Sequence, residues 1–213
     1  MNNSQIVYEH GNGLYLNITN RCPTVCCFCI KSKWNMRYRG YNLRLEKEPS
    51  LDEVIRDVDL AFQRKDFVAI VFCGYGEPMM RWELIRVFSS LVREKGIRGV
   101  DCNKRIRINT NGLGNLINKR DITVEMKGLI DAVCVSLNTL DPKKWFEIMR
   151  PLKGYENGFE SVIDFILKAK ENVKEVVVTV VDLEEVDVEG VEEFAKKVGV
   201  KFRKRAFLEN EEV

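Results

Sequence analysis

The stretch GLYLNITNRCPTVCCFCI, residues 13–30, joins an alternating apolar run to a loop with four cysteines. Three of them, Cys22, Cys26 and Cys29, have a Cys-x3-Cys-x2-Cys spacing. Cysteine thiolates are the usual ligands of iron–sulfur clusters, and a 4Fe–4S cluster held by only three of them leaves one iron open to another ligand. The stretch therefore predicts a β-strand that leads into a reactive metal centre.

A structural zinc ion is the main alternative for this loop, with Cys27 or a distant cysteine as the fourth ligand. Structural zinc sites usually present their ligands as two closely spaced pairs. The chain has no second Cys-x2-Cys pair, and His10 is its single histidine. The iron–sulfur interpretation is therefore favoured over zinc, and over a third interpretation in which the thiols bind nothing.

The composition is that of an ordinary globular domain. The chain has 213 residues, of which 45% are hydrophobic and 31% charged, so it can bury a substantial core. We expect a single domain over residues 1–213. Because the sequence shows no signal-peptide pattern and an odd number of cysteines, seven, we expect a cytoplasmic protein with reduced thiols and no membrane partner. The near balance of 34 Lys and Arg against 32 Asp and Glu does not favour nucleic acid as a partner.

Apolar runs with a period of two recur along the chain and predict six strands. They cover residues 13–19, 67–73, 105–109, 131–137, 175–181 and 199–203. Helical patterns lie between them, at residues 51–62 behind a Ser50–Glu53 capping box, 81–95, 119–127, 141–149, 159–170 and 188–198. This alternation predicts an α/β fold with a parallel sheet, either open and doubly wound or a complete or partial barrel. Residues 1–12 predict a short hairpin strand before the first core strand.

Alternation within the strands predicts a polar cavity. Where helices cover one face of a sheet, the bulky apolar side chains point towards them and the other set points inward. The inward set is small or polar: Asn17, Thr19, Ala69, Cys73, Arg107, Asn109, Ala132, Cys134, Ser136, Asn138, Thr179 and Arg203. A filled eight-stranded barrel is lined by bulky residues, so we expect an open cavity here. Arg107 and Arg203 would make it positive, which predicts an anionic substrate such as a carboxylate or a phosphate.

Glycine-rich or polar segments follow the later strands. In parallel α/β folds, ligands bind at the carboxyl ends of the strands. These ends carry CGYGEP at residues 73–78, NTNG at 109–112, SLNT at 136–139 and Asp182. Glycines allow the backbone to approach a ligand closely, and the Glu77 carboxylate can meet an ammonium group. Each segment alone is a common turn, but their succession predicts one ligand site.

Together these residues resemble the radical S-adenosylmethionine (SAM) enzymes. The resemblance rests on the cysteine triplet, with Phe28 before its last cysteine, and on GYGEP at the second strand. It extends over essentially the whole chain. More narrowly, LYLNITNRC, VFCGYGEP, INTNG, DAVCVSLN and RPLKG are similar to the TatD-associated radical SAM proteins. Tyr75 departs from the common Gly-Gly-Glu-Pro form, so its side chain is expected to border the cavity.

The resemblance implies a partial (β/α)6 barrel of the TIM type, with outer helices and an oxygen-sensitive 4Fe–4S cluster on Cys22, Cys26 and Cys29, in a loop at residues 20–40. SAM would bind the open iron, and an electron from a donor such as flavodoxin or ferredoxin would cleave it to methionine and a 5′-deoxyadenosyl radical. The SAM contacts would be Phe28, Gly74, Gly76, Glu77, Ser136, Asn138, Thr179 and Asp182. The candidate substrate contacts are Asn17, Tyr75, Arg107, Asn109 and Arg203.

The resemblance leaves the reaction open. The substrate is a small molecule or a protein. One alternative is an activase that places a radical on a glycyl-radical partner enzyme. The alternative from another class is a non-catalytic iron–sulfur or zinc protein that serves electron transfer or scaffolding.

Overall fold

A computed structural model describes residues 4–184 and 186–208 of the chain. Within them the strands are β1 (Val7–His10), β2 (Gly13–Leu16), β3 (Arg37–Tyr38), β4 (Tyr41–Asn42), β5 (Ala69–Phe72), β6 (Arg105–Thr110), β7 (Ala132–Ser136), β8 (Glu175–Val181) and β9 (Lys201–Arg205). The α-helices are α1 (Ile30–Lys33), α2 (Leu51–Arg64), α3 (Trp82–Lys95), α4 (Gly114–Asn118), α5 (Pro142–Met149), α6 (Gly158–Asn172) and α7 (Val188–Val198). In these ranges, no helix is long and apolar enough to span a bilayer.

Seven of these strands form one sheet in the order β1-β2-β5-β6-β7-β8-β9. All neighbouring pairs from β2 to β9 are parallel, and β1 pairs with β2 antiparallel. Each parallel connection contains at least one helix, as parallel pairing requires a crossover. The predicted α/β fold with six parallel strands is confirmed. β1 forms a hairpin with β2, the first of these strands, while residues 1–3 of the hairpin predicted at residues 1–12 lie outside the described part of the chain.

The core lies between one face of the sheet and the helices. Ile70, Ile106 and Ile108 from the strands are fully buried in a cluster that also contains Trp82 and Phe88 of α3. Burying an apolar side chain of this size contributes about 1.5–3 kcal/mol. Arg107 and Asn109, which alternate with Ile106 and Ile108, face the other way and border a cavity at the carboxyl ends of the strands, as predicted. Five members of the predicted inward set border neither of the two cavities at these strand ends, namely Asn17, Thr19, Ala69, Ala132 and Asn138.

Helix α2 shows how the local sequence fixes an element of this layer. The Ser50 side chain accepts a hydrogen bond from the Glu53 amide, and the Glu53 carboxylate accepts one from the Ser50 amide, which is the predicted capping box. Val54, Val58 and Ala61 then recur on one buried face of the helix. This spacing of three and four residues packs α2 against the sheet.

The prediction of a helix at residues 119–127 is wrong. Helix α4 ends at Asn118, because Lys119 adopts a left-handed conformation with φ 53°. The Asp121 carboxylate then accepts hydrogen bonds from the Thr123 amide and hydroxyl, at 3.0 and 2.6 Å. These local bonds compete with helical ones, and only a 3-10 turn, Thr123–Met126, follows.

Candidate functional site

Two adjoining cavities lie at the carboxyl ends of the parallel strands. The inner chamber, of about 190 Å³, borders Cys22, Cys26 and Glu77. The outer chamber, of about 540 Å³, extends from there to β1 and the β3–β4 hairpin. Both chambers share wall residues, namely Phe28, Cys73, Gly74, Gly76, Asn109, Arg203 and Arg205. The strand ends and the cysteine loop therefore enclose one continuous site, as the succession of motifs predicted.

The cysteine loop is fixed by main-chain bonds to the end of α5. The Val25 amide donates to the Arg150 carbonyl at 3.0 Å, and the Cys27 amide donates to the Ile148 carbonyl at 2.9 Å. The Leu152 amide returns a bond to the Pro23 carbonyl at 2.8 Å. The RPLKG segment thus serves as a backbone support for the cysteine loop.

The three cysteines of the triplet lie at the chamber walls. Cys22 and Cys26 border the inner chamber and Cys29 the outer one. The Thr24 hydroxyl lies 3.3 Å from the Cys22 sulfur and 3.4 Å from the Cys26 sulfur. Burial raises the pKa of the Cys22 thiol, and it raises the pKa of Cys26 to about 12. Both thiols are therefore protonated at neutral pH, and a bound metal would have to displace those protons.

The donor set fits an iron–sulfur cluster. None of the seven cysteines forms a disulfide bond, and three of them are presented by one loop. In the described part of the chain, no three His, Cys, Asp or Glu side chains converge on a position for one metal ion. A 4Fe–4S cluster makes a different demand, because each thiolate ligand binds a separate iron. Three soft donors beside an open chamber therefore match a cluster with one iron left for a further ligand.

Glu77 is the buried carboxylate of the inner chamber. Its side chain is only 3% exposed and accepts hydrogen bonds from the Asn111 amide at 2.7 Å, the Thr110 hydroxyl at 2.8 Å and the Met79 amide at 3.0 Å. Burial raises its pKa to about 7, although these three bonds lower it. The carboxylate is thus held rigidly, in a position where a cationic ligand group would favour its ionised form.

Gly74 and Gly76 line both chambers, but the structure gives a further reason for them. A Cβ atom on Gly74 would lie 2.2 Å from the Asn17 side-chain oxygen. A Cβ atom on Gly76 would lie 2.4 Å from the Thr19 carbonyl oxygen. Both glycines are therefore required by close packing against the chain itself, whether or not a ligand approaches their backbone.

Asn138 organises the end of β7 from inside the protein. It is fully buried, has φ 68° and lies outside both chamber walls. Its amide nitrogen donates to the Ser136 hydroxyl at 3.2 Å and to the Met149 sulfur at 3.3 Å, and its oxygen accepts from the Val181 amide at 3.0 Å. Asn138 therefore positions Ser136, which does border the inner chamber, and borders neither chamber itself.

The two remaining predicted SAM contacts on this side differ in position. Thr179 is buried in the wall of the inner chamber, where its hydroxyl donates to the Val135 carbonyl at 3.4 Å. Asp182 lies outside both walls. Its exposed carboxylate forms an ion pair with Lys204 at 2.9 Å. The structure thus brings Thr179 to the site and leaves Asp182 outside it.

Among the candidate substrate contacts, Asn17 has an internal role. It is fully buried outside both walls, and its amide nitrogen donates to the Leu43 carbonyl at 2.9 Å. Tyr75 does border the outer chamber, and its hydroxyl donates to the Arg37 carbonyl. The Tyr75 side chain therefore anchors the β3–β4 hairpin and also forms part of the cavity wall.

The positive charge of the chambers is greater than the sequence indicated. Arg107, Asn109 and Arg203 line the outer chamber as expected. Arg205 also lines it and, like Asn109 and Arg203, borders the inner chamber as well. Arg205 was missed because the predicted last strand ended at residue 203. Its position two residues after Arg203, on the same face of a strand, is the signal that would have found it.

Comparisons with known proteins agree with this architecture. The family model of the radical SAM superfamily matches residues 16–198. The GTP 3′,8-cyclase of Mannheimia succiniciproducens is 28% identical over 155 residues, 69% of this chain and 41% of that protein. Uncharacterized protein MJ0907 of Methanocaldococcus jannaschii is 28% identical over 161 residues, 73% of this chain and 48% of that protein. The chain spans less than half the length of these relatives.

Solved structures show the same fold. SuiB of Streptococcus suis superposes with a TM-score of 0.62 at 21% identity, over 89% of this chain and 38% of SuiB. The FeFe-hydrogenase maturase HydG from Carboxydothermus hydrogenoformans gives a TM-score of 0.54 at 17% identity, over 92% of this chain and 44% of HydG. The six parallel strands and their outer helices thus form a partial TIM-type barrel.

Proposed function

The chain belongs to the radical SAM superfamily, and from this premise we propose that it is an enzyme that cleaves S-adenosylmethionine reductively. When bound, a 4Fe–4S cluster on Cys22, Cys26 and Cys29 together with SAM supplies a 5′-deoxyadenosyl radical that abstracts hydrogen from a substrate. The observation that carries the proposal is the position of these thiols beside a chamber that also contains a rigidly held, buried carboxylate.

In this proposal, each wall residue of the inner chamber binds a part of SAM. Glu77 accepts the methionine ammonium group, because its two oxygens are oriented by three donors from the chain. Ser136 and Thr179 supply hydroxyl groups for the ribose or the carboxylate, and Phe28 supplies a ring for the adenine. Gly74 and Gly76 contribute main-chain atoms.

The narrower family assignment is also part of the proposal. The segments INTNG and RPLKG, which support Glu77 and the cysteine loop, are among those similar to the TatD-associated radical SAM proteins. On this similarity we assign the chain to that subfamily. We also assign it to a reducing compartment, the cytoplasm, because none of its cysteines is in a disulfide bond.

A purine nucleotide is a second, more specific candidate for the substrate. It is suggested by the relatives named GTP 3′,8-cyclase, and it would match the positive charge of the outer chamber. Incubation of the loaded enzyme with GTP, followed by mass spectrometry of the products, tests this candidate separately from SAM cleavage.

We propose an acidic electron-transfer protein, such as a flavodoxin or a ferredoxin, as the reductant. Between Glu9 and Glu46 the sequence has six Lys or Arg residues and no Asp or Glu. On the outside of the cysteine loop, Cys22 and Cys29 border a surface cavity together with Arg21, Lys31 and Arg44. A positive surface next to the cluster ligands would attract a negative partner and shorten the path of the electron.

Anaerobic reconstitution tests the proposal directly. The wild-type protein is expected to bind iron and sulfide at about four of each per chain and to release 5′-deoxyadenosine from SAM with a chemical reductant. The Cys22→Ser, Cys26→Ser and Cys29→Ser variants should lose the cluster. Cys102→Ser should retain it, because Cys102 lies outside both chamber walls.

The outcomes separate the alternatives. A cluster without 5′-deoxyadenosine formation would favour a non-catalytic iron–sulfur protein over the proposed enzyme. Zinc in place of iron after anaerobic preparation would contradict the cluster itself. Release of 5′-deoxyadenosine only in the presence of a glycyl-radical partner would favour an activase.

A further inference from the structure

Three arginines line the outer chamber. Arg107 comes from β6, and Arg203 and Arg205 come from β9. Arg107 donates to the Tyr15 hydroxyl at 2.8 Å, and Arg205 donates to the Ser136 hydroxyl at 2.8 Å. Within residues 4–184 and 186–208, none of the three forms an ion pair. The hydrogen-bond partners of Arg107 and Arg205 in this part of the chain are neutral hydroxyl groups.

Two of these arginines are also incompletely hydrogen bonded. The Nε atoms of Arg107 and Arg205 are buried, and neither has a hydrogen-bond partner in the described residues. Burial lowers the pKa of Arg205, and the like charge of Arg203 contributes to the shift. Arg107 and Arg205 are half-buried and Arg203 is exposed, and a partly buried positive charge without an anion nearby is costly. An anion in the chamber would supply the missing charge.

The chamber also has an aromatic wall, formed by Tyr8, His10, Tyr15 and Tyr38. The ring centroids of Tyr8 and His10 each lie 5.3 Å from that of Tyr15. The Tyr38 hydroxyl lies 2.8 Å from the His10 ring nitrogen, which joins the β3–β4 hairpin to β1. The Arg107 guanidinium lies 5.8 Å from the centroid of the Tyr15 ring. The wall and the cationic group therefore meet at Tyr15.

We propose that the outer chamber is the substrate site and that it binds a planar, anionic small molecule. A phosphate or carboxylate group binds to Arg107, Arg203 and Arg205, and an aromatic ring packs against the wall formed by Tyr8, His10, Tyr15 and Tyr38. The volume of about 540 Å³ suits a small-molecule ligand, for which sites of about 300–1,000 Å³ are usual. This assignment rests on the proposed function, because the inner chamber is taken to hold SAM.

The strand order constrains how an anion could reach the arginines. The three guanidinium groups come from strands at different positions in the sheet, β6 and β9, with β7 and β8 between them. An anion that reaches all three must lie across the carboxyl ends of these strands. The rest of such a molecule would then lie over the opening to the inner chamber, since Asn109 and Arg205 border both chambers.

Binding to the cluster-free, reduced protein tests the site without any need for catalysis. Calorimetric titrations would compare three probes, which are phenyl phosphate, inorganic phosphate and phenol. We expect phenyl phosphate to bind at least tenfold more tightly than either of the others, because it alone uses both the arginines and the aromatic wall. Equal affinities of phenyl phosphate and phenol, or no binding of any anionic probe, would overturn the proposal.

Matched variants test whether the probe binds at these arginines. Arg107→Ala and Arg203→Ala should each weaken phenyl phosphate binding at least tenfold. Arg105→Ala and Lys201→Ala should leave it within twofold, because these residues lie on the same two strands but pair with Glu175. An equal loss in the control variants would place the binding elsewhere. Thermal unfolding of every variant checks that it is folded.

The outcomes also distinguish this proposal from the proposed function. If the wild-type protein binds no anionic probe but still releases 5′-deoxyadenosine from SAM, the proposed substrate site is overturned and the proposed enzyme is not. Normal probe binding without 5′-deoxyadenosine release would overturn the enzyme and leave an anion-binding chamber.

Discussion

Replacing Glu77 with glutamine removes the ionisable group of the inner chamber and preserves its shape. Burial raises the pKa of this carboxyl from 4.5 to about 7 in the folded protein. Between these two values the unfolded chain has lost the proton and the folded chain retains it. The wild-type protein should therefore become less stable as the pH rises through this window.

The magnitude follows from the size of the shift. Each pH unit within the window removes about 1.4 kcal/mol from the free energy of unfolding, which gives roughly 3 kcal/mol between pH 4.5 and 7. Glu77→Gln lacks this contribution. Separately, the substitution should lower the free energy of unfolding by about 1–3 kcal/mol at every pH. The reason is that glutamine offers one acceptor oxygen, whereas the three donors in the wild type bind to two. The variant should be the less stable protein at pH 5 and should equal or exceed the wild type at pH 8.

Urea unfolding of the cluster-free, reduced protein measures both contributions. The fluorescence of the buried Trp82 and Trp145 would report unfolding at intervals from pH 5 to 8. Glu83→Gln is the control, because Glu83 is exposed and hydrogen bonds to Arg86 and Arg120 lower its pKa. That group contributes stability above its unfolded pKa and loses it only at lower pH. Glu83→Gln should therefore retain the same fall in stability between pH 5 and 8 as the wild type, because it still contains Glu77. Parallel stability curves for the wild type and Glu77→Gln would refute the reasoning.

Three further changes test other parts of the site. Gly76→Ala should lower the free energy of unfolding in urea by about 2–3 kcal/mol, because its Cβ would lie 2.4 Å from a carbonyl oxygen. Gly13→Ala is the control. It should lower the free energy of unfolding much less, because the nearest neighbour of its Cβ is a side-chain atom at 3.2 Å. Asp182→Ala should leave SAM affinity within twofold in equilibrium binding, and a tenfold loss would return Asp182 to the site. In the double variant Lys31→Glu, Arg44→Glu, reduction of the cluster by reduced flavodoxin should be about tenfold slower at low salt. Stopped-flow absorbance would follow the reduction. Equal slowing with dithionite would contradict docking of the flavodoxin at this surface.

The strands were predictable because their pattern follows from packing against the helices. Ile106 and Ile108 alternate with Arg107 and Asn109, and a period of two assigns each set to a face of the sheet. The same pattern predicted the cavity and its charge. The exact end of β9 could not be predicted, because this strand contains exposed Lys and Arg residues and no strong apolar pattern. The predicted strand therefore did not include Arg205.

The roles of buried amides could not be predicted from the sequence. Asn17 and Asn138 both have the inward parity of ligand-binding residues, and both are fully buried and bound to the chain itself. Their partners, such as the Leu43 carbonyl and the Val181 amide, are 26 and 43 residues away. Only the tertiary structure decides whether such a group meets a ligand or a distant part of the backbone.

The alternation along the strands also separates two kinds of change that mutation can make. Positions such as 107, 134 and 203 point into the chambers, while their neighbours at 106, 133 and 202 belong to the helix-covered core. A substitution in the first set changes what the cavity recognises at little cost to folding. The scaffold can therefore acquire a new substrate by a few single-residue steps, and a library confined to the inward positions is the natural place to look for one.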